Sequence, residues 1–383
     1  MNQSLDRVSV VVPCRDEAAS IECLLDALRT QDRSIEEVIV VDDGSTDDTR
    51  KVIERYRARF PGMAVRVIPG PCNGIAAAVN AGVGAATGDV VVRLDAHSCP
   101  AGDYVGRCVA AVQAADVGVA GGVWEIEPGA GTVTARAIAH AVSHPMGAGD
   151  AAYRVGRTLP APRDVDTVPF GCFRKSLWTA LGGFDERLLT NEDYEFNYRV
   201  RLGGHRVVID PQIRSKYFAR TTLSALAAQY LRYGWWKAQM LRRNPGSLRW
   251  RQALPAFFVS LCLLLGLGSI IAPAARLAFG LLFAAYLAAL LVASIGICGA
   301  RRAWAICPLL PAAFATVHFG WGLGFLVNIL TLGKWPAATS WTEAAANDRR
   351  QAVGGKRGKR GTGSAGRQRT RPSEPEEQKK VGV

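Results

Sequence analysis

Residues 253–330 are almost without charge, and this stretch limits most strongly what the chain can fold into. It divides into three apolar segments: Ala253–Ile271, Leu277–Cys298 and Ala303–Leu330. Because about 20 apolar residues cross the hydrocarbon core of a bilayer, each segment is long enough to span a membrane. We therefore predict a membrane domain. Buried helices of a soluble protein are the alternative, but successive apolar runs of this length are rare in globular cores.

Residues 1–225 have a different pattern, in which short β-branched runs alternate with helical periodicity. Four of these runs predict strands: Val8–Pro13, Glu37–Val41, Ala64–Ile68 and Val90–Leu94. The order βαβαβαβ predicts an α/β fold with a mainly parallel, doubly wound sheet. Ligands of such sheets bind beyond the carboxyl ends of the strands, where Pro13, Asp42 and Asp95 are placed. Acidic groups at this edge suit a nucleotide and its divalent metal.

Several short motifs follow one another along this part of the chain: Val10–Glu17, Val41–Asp47, Asn73–Gly82, Gly88-Asp89, Asp95–His97, Gly182–Asp185 and Glu192-Asp193. In this order and spacing they resemble the inverting family 2 glycosyltransferases, which have the GT-A nucleotide-sugar fold. The resemblance covers residues 8 to about 240. With its apolar segments, the chain is similar to bacterial exopolysaccharide glucosyltransferases of the succinoglycan type, which transfer glucose to a lipid-linked oligosaccharide.

The resemblance assigns nucleotide-sugar binding to seven residues: Pro13, Arg15, Glu17, Asp42, Asp43, Gly74 and Asp95. Asp42 and Asp43 would lie against the uracil and ribose of a UDP-sugar donor. Carboxylates suit this role because they accept hydrogen bonds from the base and the ribose. The alternative is that Asp43-Gly44-Ser45 is only a turn that caps the following helix.

Asp95-Ala96-His97 occupies the place of the Asp-x-Asp motif of the family, whose carboxylates hold Mn²⁺ or Mg²⁺ on the donor diphosphate. His97 departs from that motif. Since imidazole suits Mn²⁺ better than Mg²⁺, we expect Asp95 and His97 to be metal ligands with a preference for Mn²⁺. The alternative is that His97 binds nothing and Asp95 acts alone.

Glu192-Asp193 stands at the start of a predicted helix. By resemblance, Asp193 is the catalytic base that takes the proton of the acceptor hydroxyl, and Glu192 is an acceptor or structural contact. An acidic pair also favours a helix N-terminus through the helix dipole, which is the alternative reading of these two residues.

Gln229–Tyr233 is similar to the Gln-x-x-Arg-Trp motif of processive polysaccharide synthases, with Tyr233 in place of Trp. Gln229, Arg232 and Tyr233 are therefore candidate contacts of the acceptor or the diphosphate, with Arg232 as a fixed cation. The alternative is an aromatic and basic anchor at the membrane interface.

The net charge of +13 suggests nucleic acid as a partner, but much of it belongs to one end of the chain. Residues 334–383 hold twelve Lys or Arg against five Asp or Glu. A polar segment of this kind does not bury enough surface to fold, and an anionic membrane lipid is its expected neighbour rather than nucleic acid. We divide the chain into four regions: a glycosyltransferase domain (1–222), an interfacial amphipathic helix (223–252), a membrane domain (253–332) and a basic disordered tail (333–383).

The resemblance, taken with the apolar segments, implies an inverting, metal-dependent, multi-pass enzyme of the bacterial inner membrane that transfers a hexose to a polyprenyl-diphosphate-linked oligosaccharide. No signal peptide precedes Val8, so the catalytic domain is expected in the cytoplasm. Three crossings would then place the basic tail outside, against the positive-inside rule. Either the tail is exported, or one apolar segment is re-entrant or surface-lying. A processive polysaccharide synthase and a non-catalytic nucleotide-sugar-binding protein are the rival predictions.

Overall fold

The computed structural model describes residues 7–334, so the predicted tail lies almost wholly outside the described residues. The strands are β1 (Val8–Cys14), β2 (Glu37–Asp42), β3 (Val65–Pro69), β4 (Val90–Arg93), β5 (Cys99–Pro100), β6 (Val117–Pro128), β7 (Arg163–Asp164), β8 (Cys172–Arg174) and β9 (Arg206–Ala219). The helices of the first 222 residues are α1 (Ile21–Arg29), α2 (Thr49–Arg59), α3 (Ile75–Ala85), α4 (Tyr104–Val112), α5 (Val133–Val142), α6 (Pro145–Ala148), α7 (Ala152–Val155), α8 (Lys175–Leu181) and α9 (Glu192–Leu202). Four helices follow: α10 (Leu223–Leu241), α11 (Trp250–Gly268), α12 (Pro273–Arg301) and α13 (Leu310–Leu330).

The strands form one sheet in the order β3-β2-β1-β4-β8-β6-β9-β5, with β7 paired to β9. The first four strands pair in parallel, as the βαβαβαβ pattern predicts. The α/β fold with a doubly wound sheet is confirmed. The short strand β8 lies antiparallel between β4 and β6, and β6 pairs in parallel with β9.

Both faces of the sheet are covered by helices, because side chains along each strand alternate between the two faces. In β1, Val10 and Val12 contact the core on the side of α1, α2 and α4. Val11 contacts the second core, on the side of α3 and α9. Each of these valines is fully buried. This two-sided burial fixes the register of the central strands and aligns their carboxyl ends at one edge of the sheet.

The segment Gly147–Arg163, which its composition predicts as a long mobile loop, contains the end of α6, all of α7 and a 3₁₀ turn at Gly156–Thr158. A local cap and a contact with α13 support this structure. The His144 ring accepts a hydrogen bond from the Met146 amide at 3.1 Å and caps α6. The ring of His144 also packs edge-on against Phe314 of α13. A sequence rich in small residues therefore folds into short helices.

The three apolar segments form α11, α12 and, after a 3₁₀ turn at Trp304–Leu309, α13. All three are long and apolar enough to cross a membrane. Much of α12 is exposed, including Leu277, Leu281 and Val292. Leucine and valine side chains exposed along a helix of this length suit contact with lipid.

The helix α13 packs against α10 through glycines. A Cβ atom at Gly324 would overlap the carbonyl oxygen of Leu231, and one at Gly234 would overlap the carbonyl oxygen of Trp321. Small residues let helix backbones approach closely, as in the interfaces of membrane helices. The α10 helix, which begins at Leu223 where the second predicted region starts, is thereby fixed between the sheet domain and the apolar helices.

Candidate active site

A cavity of about 880 Å³ lies at the carboxyl ends of β1, β2 and β4 and extends to the apolar C-terminal helices. Most of the residues predicted from the sequence line it: Pro13, Arg15, Glu17, Asp43, Gly74, Asp95, His97, Glu192, Asp193, Gln229, Arg232 and Tyr233. Asp43, Asp95 and Asp193, which come from distant parts of the chain, therefore share one cavity.

One end of the cavity is built by the loops that follow β1 and β2. Asp43 accepts a hydrogen bond from the Cys72 amide at 2.6 Å. A Cβ atom at Gly70 would lie 2.6 Å from the same carboxylate oxygen, so glycine is needed for this close approach. Asp16, which has a positive φ of 54°, accepts a hydrogen bond from the Thr46 amide at 2.7 Å and links the two loops. These contacts hold Asp43 at the cavity wall.

Asp42 is the predicted nucleotide contact that does not line the cavity. Its side chain is fully buried, accepts a hydrogen bond from the Ser45 amide at 3.1 Å and forms an ion pair with Arg50. Burial alone would raise the pKa of Asp42, but the hydrogen bonds from Ser45 and Arg50 lower it overall. Asp42 is therefore an ionised group that holds the β2–α2 loop, and the structure does not support its direct contact with base or ribose.

The centre of the cavity wall is a cluster of three carboxylates around one buried arginine. Arg93, at the end of β4, donates to Asp95 at 2.9 Å and to Glu192 at 3.2 Å, and it forms a close ion pair with Asp193. The Arg93 side chain is only 3% exposed, whereas that of Asp193 is 23% exposed. Asp193 is thus held from behind by the guanidinium and reaches the cavity.

The surroundings of this cluster raise the pKa values of Glu192 and Asp193. Burial, and then the charge of Asp193, raise the pKa of Glu192 to about 7, although Arg93 opposes the shift. Burial also raises the pKa of Asp193, with Asp95 adding to the shift and Arg93 opposing it. Three carboxylates share one cation, so the pair at the start of α9 holds a proton more tightly than ordinary acids do. A raised pKa suits a carboxylate that acts as a general base, as is proposed below for Asp193.

His97 lies at the cavity wall, where its Nδ1 is 3.0 Å from a carboxylate oxygen of Glu17. This contact leaves Nε2 as the ring atom for a ligand. Within residues 7–334, no three His, Cys, Asp or Glu side chains form a ready metal site. Asp95 and His97, both partly exposed to the cavity, fit a cation whose other ligands are oxygens of a bound diphosphate rather than of the protein.

The three predicted residues of α10 line the same cavity. Gln229 donates from Nε2 to the hydroxyl groups of Tyr217 at 3.0 Å and Tyr233 at 2.9 Å. Gln229 is buried, while Arg232 and Tyr233 are half-buried. The placement of this motif beside the cavity depends on the close packing of α10 on α13.

Two functional candidates were missed by the sequence interpretation, the buried arginines Arg93 and Arg154. For Arg93 a signal was present, since it is a lone charge at the end of the apolar run Val90–Leu94. Arg154 gave no signal, because it lies in the segment predicted as a loop.

The matching family model is "Glycosyl transferase family 2", over residues 9–177. The succinoglycan biosynthesis protein ExoA of Rhizobium meliloti (strain 1021) is 30% identical over 249 residues, which are 64% of this chain and 73% of that protein. A relative from Methanococcus voltae is 24% identical over 252 residues, covering 63% of this chain and 76% of its own. It is a dolichyl N-acetyl-α-D-glucosaminyl phosphate 3-β-D-2,3-diacetamido-2,3-dideoxy-β-D-glucuronosyltransferase.

Among solved structures, the mannosyltransferase PcManGT from Pyrobaculum calidifontis, in complex with GDP-Man and Mn²⁺, aligns with a TM-score of 0.50 and 19% identity. The alignment covers 93% of this chain and 88% of that one. At this identity the likeness concerns the fold, which is the GT-A fold. The 30% identity to ExoA over 73% of that protein, with the match to the family model, establishes that this chain belongs to the family 2 glycosyltransferases.

Proposed function

We propose that this protein is a membrane-anchored, inverting, metal-dependent hexosyltransferase that transfers glucose from UDP-glucose to a polyprenyl-diphosphate-linked oligosaccharide. One observation carries the proposal. The cavity that holds Asp43, Asp95 and Asp193 continues to residues of the apolar helices, among them Phe258 of α11 and Trp321 of α13. A polar nucleotide sugar and an amphipathic acceptor can therefore meet in one space.

The relatives support this choice of substrates. The ExoA protein belongs to succinoglycan biosynthesis, and the Methanococcus voltae enzyme is named for a dolichyl-linked sugar phosphate. PcManGT holds a nucleotide sugar with Mn²⁺. The resemblance to succinoglycan-type enzymes is the reason for proposing glucose as the sugar and UDP as its carrier. It is also the reason for proposing exopolysaccharide synthesis as the pathway.

In the proposed reaction, Asp193 takes the proton of an acceptor hydroxyl as that oxygen attacks the anomeric carbon of the donor. The new C–O bond forms as the bond from the anomeric carbon to the diphosphate oxygen breaks, so UDP leaves and the configuration inverts. Arg93 positions Asp193, and burial together with the charge of Asp95 raises the pKa of Asp193. Asp193 rather than Glu192 is taken as the base because the Asp193 side chain is the more exposed of the two.

Asp95 and His97 would hold the divalent metal, which supplies positive charge to the leaving diphosphate when bound. Asp43, with Pro13, Arg15, Glu17 and Gly74, would line the nucleotide pocket. Asp42 would not contact the nucleotide but would order the loop that carries Asp43, through its contacts with Ser45 and Arg50.

We place the catalytic domain on the cytoplasmic side of the bacterial inner membrane, with α11, α12 and α13 as the spanning helices. Arginines at 242, 243 and 249, ahead of α11, and Arg251 in its first turn support this orientation through the positive-inside rule. The sequence surrounding the spans therefore favours a cytoplasmic active site at the membrane surface.

A processive polysaccharide synthase is the second candidate, and one observation favours it. Gln229, Arg232 and Tyr233 line the cavity together, as the residues of a Gln-x-x-Arg-Trp motif would. The length of the product separates the two functions, because a single transfer adds one sugar whereas a synthase makes a polymer.

The experiment is incubation of membranes that contain the protein with a panel of radiolabelled nucleotide sugars and either Mn²⁺ or Mg²⁺. The label in the lipid fraction is then measured and its glycan length determined. We expect labelling from UDP-glucose, with one added sugar. Labelling from another nucleotide sugar would correct the donor, and a long glycan would favour the synthase. Absence of label with every donor, when an active relative is labelled in parallel, would contradict the proposal.

A further inference from the structure

Arg154 of α7 is a buried cation on the cavity wall. The residue is 6% exposed. Its guanidinium carbon lies 4.9 Å from the ring centre of Trp124, 5.4 Å from that of Tyr153 and 5.5 Å from that of Tyr217. Trp124 and Tyr217 stack face to face at 4.2 Å. The aromatic rings hold the guanidinium in place through cation–π contacts.

The two buried arginines of the cavity differ in their charge partners. Arg93 is surrounded by three carboxylates. For Arg154, no carboxylate lies within ion-pair distance in the part of the chain that the structure describes. A buried charge without an opposite charge is costly, and aromatic rings offset only part of that cost. An anionic ligand in the cavity would supply the missing charge.

The position of Arg154 indicates which anion this is. The preceding segment packs on the apolar helices, since the ring Nε2 of His318 in α13 lies 2.7 Å from the carbonyl oxygen of Met146. On the same side the cavity is lined by apolar residues from three helices, including Phe258, Tyr286 and Val317. A phosphate bound at Arg154 would therefore have its apolar substituent directed toward the helices predicted to lie in the membrane.

We propose that Arg154 binds the phosphate or diphosphate group of the lipid-linked acceptor. The planar guanidinium offers paired donors that match phosphate oxygens. This inference rests on the proposed function, because it assumes a lipid-linked acceptor. The donor nucleotide is the other source of a diphosphate in the same cavity, and the experiment below distinguishes the two.

The site would also set the direction of the acceptor. Contacts lead from one arginine to the other: Arg93 lies over the ring of Phe170, Phe170 packs on Trp124, and Trp124 packs on Arg154. The cavity thus has acidic groups at Asp193 and a cation at Arg154, with aromatic rings between them. An acceptor whose phosphate is held at Arg154 extends its sugar across these rings toward Asp193.

The test measures binding of two probes to the full chain in detergent micelles, farnesyl diphosphate for the prenyl diphosphate and UDP for the donor. The variants are Arg154→Met, which removes the charge, and Arg154→Lys, which keeps the charge without the planar fork. Arg157→Met is the matched control, because Arg157 is 60% exposed and contacts Glu125. Inorganic pyrophosphate is added as a third probe, to separate recognition of phosphate from that of the prenyl chain.

We expect Arg154→Met to weaken farnesyl diphosphate binding about tenfold or more, as for the loss of a charge-assisted hydrogen bond. UDP binding by this variant should stay unchanged, and Arg157→Met should bind both probes normally. A larger loss of UDP binding would assign Arg154 to the donor and overturn the proposal. Unchanged binding of both probes, or no farnesyl diphosphate binding by the unaltered protein, would also overturn it.

If Arg154→Met fails to fold, Arg154→Lys decides. Weakened farnesyl diphosphate binding with normal UDP binding supports the site, and unaltered binding of both probes contradicts it. Binding of these probes does not depend on sugar transfer. If the protein transfers no sugar, the proposed function fails. If the Arg154 variants still lose farnesyl diphosphate binding, the site at Arg154 stands on its own.

Discussion

Arg93 and Asp193 form an ion pair across one hundred positions of the chain, and this contact joins the end of β4 to the start of α9. It determines the geometry of the carboxylate cluster, because the same guanidinium also contacts Asp95 and Glu192. The buried arginine is therefore both a structural and an electrostatic element of the site.

Substitution Arg93→Met leaves three carboxylates close together without a cation. We expect the free energy of unfolding to fall by about 3–5 kcal/mol, as for other broken buried ion pairs. The pKa values of Asp193 and Glu192 should rise further, because the positive charge that opposes their protonation is lost. Thermal unfolding and transfer activity measure the two effects.

Arg7→Met is the control for this change. The ion pair of Arg7 with Asp89 is exposed, with side chains 55% and 51% accessible. Surface pairs of this kind contribute about 0–1 kcal/mol. Equal losses of stability in the two variants would contradict the structural role of Arg93.

The acidic limb of the pH dependence of transfer should lie above the usual range of an aspartate, because burial and the charge of Asp95 raise the pKa of Asp193, the base. The base works when deprotonated, so activity is present above this pKa and lost as the pH falls through it. In Glu192→Gln the limb should stay in place, because burial and the charge of Asp95, rather than Glu192, raise the pKa of Asp193. The measurement is kcat/KM against pH, and a limb that moves to lower pH in this variant would assign the limb to Glu192.

His97→Ala should change the metal preference of the enzyme if the imidazole is a metal ligand. We expect a larger loss of activity with Mn²⁺ than with Mg²⁺, because imidazole suits Mn²⁺ better. Glu17→Gln is a useful companion, since it removes the charge that faces His97 Nδ1 and leaves the ring in place. An unchanged ratio of the two activities in His97→Ala would show that Asp95 binds the metal without it.

The strands and the first helices could be predicted from the sequence, because β-branched runs and the period of Ile21, Leu24, Leu25 and Leu28 report local burial directly. β8 could not, since three residues form a strand only when β4 and β6 lie on either side. The shared cavity of Asp43, Asp95 and Asp193 followed from the rule for parallel strands and from the family resemblance.

Other parts of the site depend on contacts between distant segments. The side chain of Asp42 turns to Arg50 and Ser45 rather than to the cavity, and the residue's place at the end of a strand gives no sign of this. Arg154 is buried only because Trp124 and Tyr217, from β6 and β9, close around it. Such contacts arise from the tertiary fold and have no local pattern.

The packing of α10 on α13 should be sensitive to a single methyl group. Gly324→Ala places a Cβ atom against the Leu231 carbonyl, and we expect a loss of about 1–3 kcal/mol, as for other overpacked interfaces. Activity should fall as well, since Arg232 and Tyr233 would move with α10. Gly296→Ala on α12 is the control, because nothing lies within 4 Å of its Cβ position. Thermal unfolding in detergent compares the two, and equal stability would contradict the close packing.

The central claim is that Asp193 is the base of a sugar transfer in this cavity, and Asp193→Asn tests it most directly. Two quantities are measured for this variant: transfer of labelled sugar to the lipid fraction and equilibrium binding of UDP. The control is Glu54→Gln, because Glu54 is an exposed acid on α2. The account predicts a loss of transfer of about 10²–10⁴-fold, the usual contribution of a general base, with UDP binding retained. Substantial transfer by Asp193→Asn would contradict it.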